Sequence, residues 1–141
     1  MSKGSVDNFL YRILDANINR TQEGLRVCEE IARFILNNSS FTLQFKKLRH
    51  RLNSIIASLR IERKELIKYR DTEKDVGKKS IIQEMKRKDF KDILFVNLQR
   101  IKESLRVLEE FSKLIDKKMA ERFKRMRYEV YNLEKKIALF C

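Results

Sequence analysis

The sequence lacks proline and tryptophan, and its only glycines are Gly4, Gly24 and Gly77. Because proline and glycine supply the tight turns of hairpin-rich β folds, their scarcity argues against a β-sandwich or β-barrel. No apolar run approaches the roughly 20 residues that span a bilayer, and the N-terminus has no signal-peptide pattern. We therefore expect a cytoplasmic protein that makes no membrane contact.

Reactive side chains are also scarce. Cys28 and Cys141 are the only cysteines, and they provide neither a disulfide framework nor metal-ligand spacing. Cys28 falls on an apolar helical face, which predicts a small buried thiol. His50 is the only histidine, and no Ser–His–Asp or Cys–His arrangement can be assembled around it.

Charged residues are abundant and unbalanced. They make up 38% of the 141 residues, and 33 lysines and arginines against 20 acids give a formal charge of +13. Together with 43% hydrophobic residues, this composition is typical of amphipathic helices with solvated outer faces. The positive charge fits a solvated surface, a nucleic-acid ligand or a small phosphorylated molecule.

The chain contains an internal repeat. Residues 13–35 align without gaps on residues 93–115 and are identical at 11 of 23 positions. A weaker match follows, between residues 45–52 and residues 123–130. Since matching segments lie in pairs, each repeat unit is predicted to be two helices long.

Apolar residues recur at spacings of three and four throughout both units, which predicts four amphipathic helices. Their predicted ranges are 7–36, 41–69, 89–115 and 117–139. Asn37-Asn38-Ser39-Ser40 should form the first turn, with a serine as N-cap. Residues 70–80 are predicted to be a loop, and residues 81–86 a short helix.

These elements predict an all-α fold, a four-helix bundle formed by tandem duplication of an antiparallel helix pair. We expect a single domain over residues 1–141, with one repeat unit at 7–69 and the other at 89–139. The functional loop lies between the two halves. The alternative is an elongated helical hairpin that completes its core as a homodimer.

Polar residues interrupt the apolar arc of the repeated helix at the same positions in both units. We expect them to form an interior pocket for phosphate, because the planar fork of arginine donates two hydrogen bonds at once. The alternative is a buried hydrogen-bond network that sets helix register. The candidates are Asn17, Arg20 and Glu23, their counterparts Asn97, Arg100 and Glu103, and the flanking Arg49 and Arg127.

The loop is a second candidate site. Arg70, Asp71, Thr72, Asp75 and Gly77 lie within eight residues. Two carboxylates a few residues apart suit Mg²⁺, which usually takes one or two carboxylates together with phosphate oxygens. The same residue types are also favoured in an ordinary turn.

The sequence resembles a known family in four places. These are the run R-I-L-D-A-N-x-N-R-x-x-E-G-L-R-V-x-E-E-x-A-R-F at 12–34, the pair Leu48-Arg49, R-D-T-x-x-D-V-G at 70–77, and N-x-x-R-x-x-E-S-L-R-V-L-E-E at 97–110. They are similar to the small hydroxymethylpyrimidine-phosphate kinases of thiamine biosynthesis. That domain occurs alone or fused before thiamine-phosphate synthase, and we expect the stand-alone form, with no synthase barrel following.

The resemblance implies transfer of the γ-phosphoryl group of ATP to 4-amino-5-hydroxymethyl-2-methylpyrimidine phosphate. It also implies thiamine-phosphate synthase as functional partner. Given that reaction, we expect Arg20 and Arg100 to hold phosphates, with Arg49 or Arg127 in support. Asp71 and Asp75 would carry Mg²⁺, Arg70 would counter developing charge, and Thr72 and Gly77 would belong to a closing loop.

Two non-enzymatic alternatives remain at this point. One is a basic helical module that binds nucleic acid, although the polar repeats are predicted to face inward, whereas such proteins display lysine and arginine outward. The other is a structural interaction module in which the arginine and glutamate repeats only specify packing.

Overall fold

The computed structural model describes residues 3–141, and every regular element in that range is helical. The first helix ends in a π-helical turn at Ile31–Ile35. The helices are α1 (Lys3–Glu30), α2 (Ser39–Ser58), α3 (Arg63–Ile67), α4 (Ile82–Met85), α5 (Phe90–Ser112) and α6 (Lys117–Phe140). This confirms the all-α class, and the arrangement of the long helices agrees with the expected bundle.

Helix ends are set by asparagine and aspartate. Asn37 has a φ of 49°, a left-handed conformation that asparagine tolerates well, and the chain reverses there. The prediction of a serine N-cap is wrong, because the side chain of Asn38 accepts the hydrogen bond from the backbone N–H of Phe41. Asp89 and Asp116 cap α5 and α6 in the same way.

The centre of the bundle is the contact between α1 and α5. The hydroxyls of Thr21 and Ser104 are 2.6 Å apart and buried, and Gly24 lies directly against Ile101. In the repeat alignment Thr21 corresponds to Ile101, and Gly24 corresponds to Ser104. The two contacts are therefore copies of each other, and they place a local two-fold axis between antiparallel α1 and α5.

The outer helices complete the bundle. Helix α2 packs on α1, α6 packs on α5, and α2 also contacts α6. The apolar stripes of the four long helices, α1, α2, α5 and α6, meet in one core. Its largest fully buried side chains include Phe45, Phe123, Leu25, Leu105 and Met126. Cys28 is buried, as expected, and burial raises the pKa of its thiol to about 12, so the thiol stays protonated at neutral pH.

The prediction of one continuous helix over residues 41–69 is wrong. Leu59 adopts an extended backbone conformation, with a ψ of 120°, and ends α2. Leu66 is buried, and its helix α3 packs on α1. The chain turns because burying Leu59 and Leu66 against the bundle outweighs continuing a helix beyond its end, and no glycine or proline marks the break.

The remaining boundaries agree with the sequence prediction to within a few residues. Helices α5 and α6 lie inside or close to their predicted ranges, α4 forms the short helix, and residues 70–80 form a loop. Among the described helices, none combines the length and the apolar character needed to cross a membrane.

Substituting Gly24 tests the close crossing of α1 and α5. A Cβ at this position would lie 2.7 Å from Cγ1 of Ile101, which is fully buried. Overpacking costs about 1–3 kcal/mol, more than the ~1 kcal/mol that alanine gains over glycine in a helix. We expect Gly24→Ala to lower the free energy of unfolding by about 1 kcal/mol in urea denaturation.

Gly77→Ala is the matched control. Its Cβ would meet only Oδ1 of Asp75, at 3.6 Å, so the expected change is below about 0.5 kcal/mol. A Gly24→Ala protein as stable as the unsubstituted chain would contradict the close packing.

Candidate functional site

The six repeated polar residues meet in one groove between α1 and α5. The groove has a volume of about 350 Å³. Gly24, Ser104 and Val107 complete its lining. The residues that the sequence predicted and the structure brings together there are Asn17, Arg20, Glu23, Asn97, Arg100 and Glu103.

The groove is open to solvent, so the prediction of an interior pocket is wrong in that respect. Asn17 is buried, but the side chains of Arg20 and Arg100 are exposed. The small residues Gly24 and Ser104 take the positions of closest helix contact, and the long charged side chains extend from the edge of that contact.

Both asparagines are held by matching hydrogen bonds. The amide of Asn17 donates to the carbonyl oxygen of Ile13 at 2.8 Å, and that of Asn97 donates to the carbonyl oxygen of Ile93 at 2.7 Å. Arg20 donates to Oδ1 of Asn17 at 3.4 Å. The asparagine in each half of the groove is thus fixed in the same way to the backbone of its own helix.

Three charged side chains in the groove have no polar partner among the described residues. Arg100, Glu23 and Glu103 take part in none of the ion pairs or side-chain hydrogen bonds found there, and Arg20 contacts only a neutral amide. Two guanidinium groups and two carboxylates therefore remain free to bind a ligand that carries both an anionic and a cationic or amino group.

Arg49 and Arg127 do not line the groove, contrary to the prediction that they support it. Arg49 donates to both carboxylate oxygens of Glu29, at 3.0 and 3.4 Å, and Arg127 donates to Glu109 at 2.9 and 3.2 Å. Burial lowers the pKa of Arg127, but the hydrogen bond and charge of Glu109 outweigh that effect and raise it. These pairs join α2 to α1 and α6 to α5.

Arg70 is engaged with a residue that the sequence analysis missed. Its guanidinium donates two hydrogen bonds to Asp15, at 2.5 and 2.7 Å, and these hydrogen bonds, together with the negative charge of Asp15, raise the pKa of Arg70. Asp15 is buried, and Asn19 donates to the same carboxylate at 3.1 Å. Asp15 aligns with the apolar Phe95 in the second unit. A charge that is present in only one copy of the repeat is the sequence feature that could have identified Asp15.

The other loop candidates lie close together. Asp71, Thr72 and Asp75 line a cavity of about 180 Å³ next to Arg70. Oδ1 of Asp71 accepts from the backbone N–H groups of Glu73 and Lys74, and Oδ1 of Asp75 accepts from the N–H of Gly77. The loop is therefore an ordered turn, and the second oxygen of each carboxylate has no protein partner in the described structure.

The described residues contain no cluster of three or more His, Cys, Asp or Glu that could hold a metal ion by itself. Gly77 has a negative φ that other residues can adopt, so the loop does not require glycine there. His50 is exposed on α2. The roles of Asp71, Asp75, Thr72 and Gly77 stay predictions.

A larger cavity adjoins Arg70 on its other side. It measures about 450 Å³ and lies among α1, the end of α2 and α3. The break at Leu59 opens it, so a sequence prediction that kept α2 continuous could not find it. The missed polar residues that line it include Asn19, Gln22, Asn53 and Arg63.

Comparison with known proteins gives one family and a consistent set of relatives. A family model described as the ThiD2 family matches residues 12–136. Proteins named thiamine-phosphate synthase are 44% identical in Nostoc punctiforme (94% of this chain, 36% of the relative), 44% in Synechocystis (87% and 34%) and 43% in Rhodopirellula baltica (85% and 32%). The chain spans about a third of the length of these curated relatives. No solved structure matches it.

The prediction of a hydroxymethylpyrimidine-phosphate kinase is wrong. The relatives are named for making thiamine phosphate and not for phosphorylating the pyrimidine. ATP as donor has no support. Arg70, the predicted charge-countering residue, is held by Asp15.

Glu29→Gln tests the interpretation that the pair with Arg49 is structural. The Glu29 side chain is 1% exposed and accepts from Arg49, with Arg26 3.8 Å away. Losing one partner of a buried ion pair costs about 3–5 kcal/mol, and less where the partner reaches solvent, as both arginines do. We expect about 2 kcal/mol of destabilisation in urea denaturation.

Glu30→Gln is the control, because the neighbouring Glu30 is 46% exposed. It should change the free energy of unfolding by less than about 0.5 kcal/mol. Equal effects of the two substitutions would show that the buried pair contributes no more than a surface ion pair.

Proposed function

Because the chain belongs to the ThiD2 family, we propose that it acts in the formation of thiamine phosphate by binding a phosphate-bearing compound in the groove between α1 and α5. The observation that carries this proposal is the meeting of Arg20 and Arg100 in one open groove, where neither pairs with an acid of the described structure. The family match and the names of the relatives supply the pathway. The same names favour thiamine-phosphate synthase as functional partner.

The groove suits a ligand of mixed charge. Arginine binds phosphate through two parallel hydrogen bonds, and exposed guanidinium groups can do so without a large desolvation cost. Glu23 and Glu103 offer carboxylates to a cationic ring or an amino group. Thiamine phosphate carries a phosphate, a cationic thiazolium ring and an aminopyrimidine, so it serves as the test ligand.

The loop supplies the magnesium part of the proposal. Asp71 and Asp75 each keep one carboxylate oxygen free of hydrogen bonds to the described protein, and both line the same cavity. Two carboxylate oxygens together with water and phosphate oxygens form a normal Mg²⁺ shell. Mg²⁺ bound there would lower the negative charge of the loop and attract a phosphate.

Nucleic-acid binding is the main alternative function. The prediction that the repeated arginines face inward, away from nucleic acid, is wrong because Arg20 and Arg100 are exposed. Glu23 and Glu103 stand in the same groove and would repel a phosphate backbone, whereas a small ligand with a cationic part would use them.

Titration with thiamine phosphate tests the proposal. We expect Arg20→Met and Arg100→Met, each made singly, to weaken binding about 10- to 100-fold in isothermal titration calorimetry, since one hydrogen bond to a charged group contributes about 1.5–3 kcal/mol. Binding of unphosphorylated thiamine should not change.

Arg125→Met is the control, an exposed arginine on α6 away from the groove. The proposal fails if the control weakens thiamine phosphate equally, or if thiamine and its phosphate bind alike. Tighter binding to duplex DNA at physiological salt would favour the nucleic-acid alternative.

Asp71→Asn tests the magnesium site. It keeps the Oδ1 acceptor that holds the turn but removes the charge, so we expect Mg²⁺ affinity, measured by NMR titration of the loop amides, to fall at least fivefold. Asp116→Asn is the control, because Asp116 caps α6 through Oδ1 in the same way. Equal Mg²⁺ shifts in both variants would exclude a site at Asp71.

A further inference from the structure

The outer face of α1 and α5, which contains the groove, is electrically balanced although the protein as a whole is not. The four charged groups of the groove, those of Arg20, Glu23, Arg100 and Glu103, sum to zero, while the chain carries a formal charge of +13. Two copies of so basic a chain repel each other over most of their surfaces. At this face they can approach without that repulsion.

Neighbouring charges on the same two helices are already paired within the chain. Arg26 lies 4.0 Å from Glu30, and Arg106 lies 3.1 Å from Glu110. The four charges of the groove form no such pair with any residue that the structure describes. A second molecule whose surface offers both signs of charge would satisfy all four together.

Apolar side chains flank the charged centre of the face on both helices. Aliphatic residues that are only partly buried lie three or four positions from the polar residues of the groove, and so on the same side of each helix; they are Ile13, Val27, Ile93 and Val107. At the ends of the two repeated segments, Phe34 and Leu114 are 66% and 69% exposed. Burying such surface in an interface adds a favourable free energy that exposed ion pairs by themselves do not supply.

The internal repeat makes this face complementary to a copy of itself. A two-fold dimer brings the same surface of both chains together, so that every contact occurs twice. Because Arg20 and Glu23 recur as Arg100 and Glu103 around the local two-fold axis, each arginine of one copy can meet a glutamate of the other. Four ion pairs would then cross the interface.

The size of the face predicts a weak dimer. Residues 13–34 and 93–114 each extend about 30 Å, and two adjacent helices are roughly 20 Å wide, which gives about 600 Å² of face per copy. A buried total of about 1,200 Å² is at the lower limit for specific interfaces. We therefore expect a reversible dimer with a dissociation constant in the micromolar range.

We propose that the face formed by α1 and α5 binds a second copy of the chain in a two-fold dimer, with Arg20 and Arg100 of one copy paired with Glu23 and Glu103 of the other. One consequence rests on the proposed function: the arginines that hold phosphate are also those that pair between copies. A phosphate-bearing ligand and a second copy therefore compete for the groove.

Charge reversal tests the dimer without assuming which arginine meets which glutamate. Arg20→Glu/Arg100→Glu makes the face entirely acidic, and Glu23→Arg/Glu103→Arg makes it entirely basic. In sedimentation velocity of the full chain between about 1 and 300 µM, we expect each variant to dimerise at least tenfold more weakly than the unsubstituted chain, and an equimolar mixture of the two to form a heterodimer. Circular dichroism checks that both variants fold.

Arg125→Glu/Lys135→Glu is the matched control, because it reverses two exposed basic residues of α6 and changes the net charge by the same amount as the acidic variant. It should dimerise at least as well as the unsubstituted chain. The proposal is overturned if the unsubstituted chain stays monomeric over the whole concentration range, if the two charge-reversed variants dimerise as it does, or if their mixture stays monomeric.

Thiamine phosphate separates the dimer from the proposed function. We expect it to raise the dissociation constant of the dimer at least fivefold, and unphosphorylated thiamine to leave that constant unchanged. A dimer that follows the charge pattern but does not respond to thiamine phosphate would support the interface and count against the ligand of the groove. A chain that binds thiamine phosphate through Arg20 and Arg100 but never dimerises would do the reverse.

Discussion

The antiparallel contact of α1 with α5 is the constraint on which the other features depend. Thr21 and Ser104 share a buried hydrogen bond of 2.6 Å, and Gly24 admits Ile101 to a distance that a Cβ would forbid. The net contribution of one such hydrogen bond is only about 1 kcal/mol, so its main effect is to fix where the helices cross. That crossing point lies on the local two-fold axis, and it brings the repeated polar residues of both halves to one groove.

The regions where the two repeat units are alike and the regions where they differ form different kinds of site in this bundle. Where the halves remain alike, they produce a symmetric groove with two arginines and two glutamates. Buried Glu29 and Glu109 hold the outer helices through Arg49 and Arg127, again in matching positions. Where the halves differ, α3 and the loop fold back on α1, Arg70 binds Asp15, and a cleft opens. The symmetric part therefore forms the bundle and the groove. The asymmetric segment, α3 with the loop after it, adds a second surface of different chemistry.

Helical periodicity and the internal repeat predicted most of the fold, because burial of an apolar stripe determines each long helix. They also identified the six repeated polar residues of the groove, since polar side chains recurring at apolar positions are visible in a self-alignment. The break at Leu59 could not be predicted, because it depends on tertiary burial of Leu66 and carries no glycine or proline signal. Arg49 and Arg127 were misassigned for a related reason: a sequence shows that an arginine is near the core but not which carboxylate it meets.

Under the proposed function, the two symmetry-related arginines, Arg20 and Arg100, bind one phosphate-bearing ligand together. The most direct measurement is NMR observation of the arginine side-chain Nε–H signals of Arg20 and Arg100 during titration with thiamine phosphate, with ³¹P observation of the ligand. We expect both arginine signals to shift along with the phosphorus resonance and to saturate at one ligand per chain. A saturating ³¹P shift that leaves both arginine signals unmoved would contradict it.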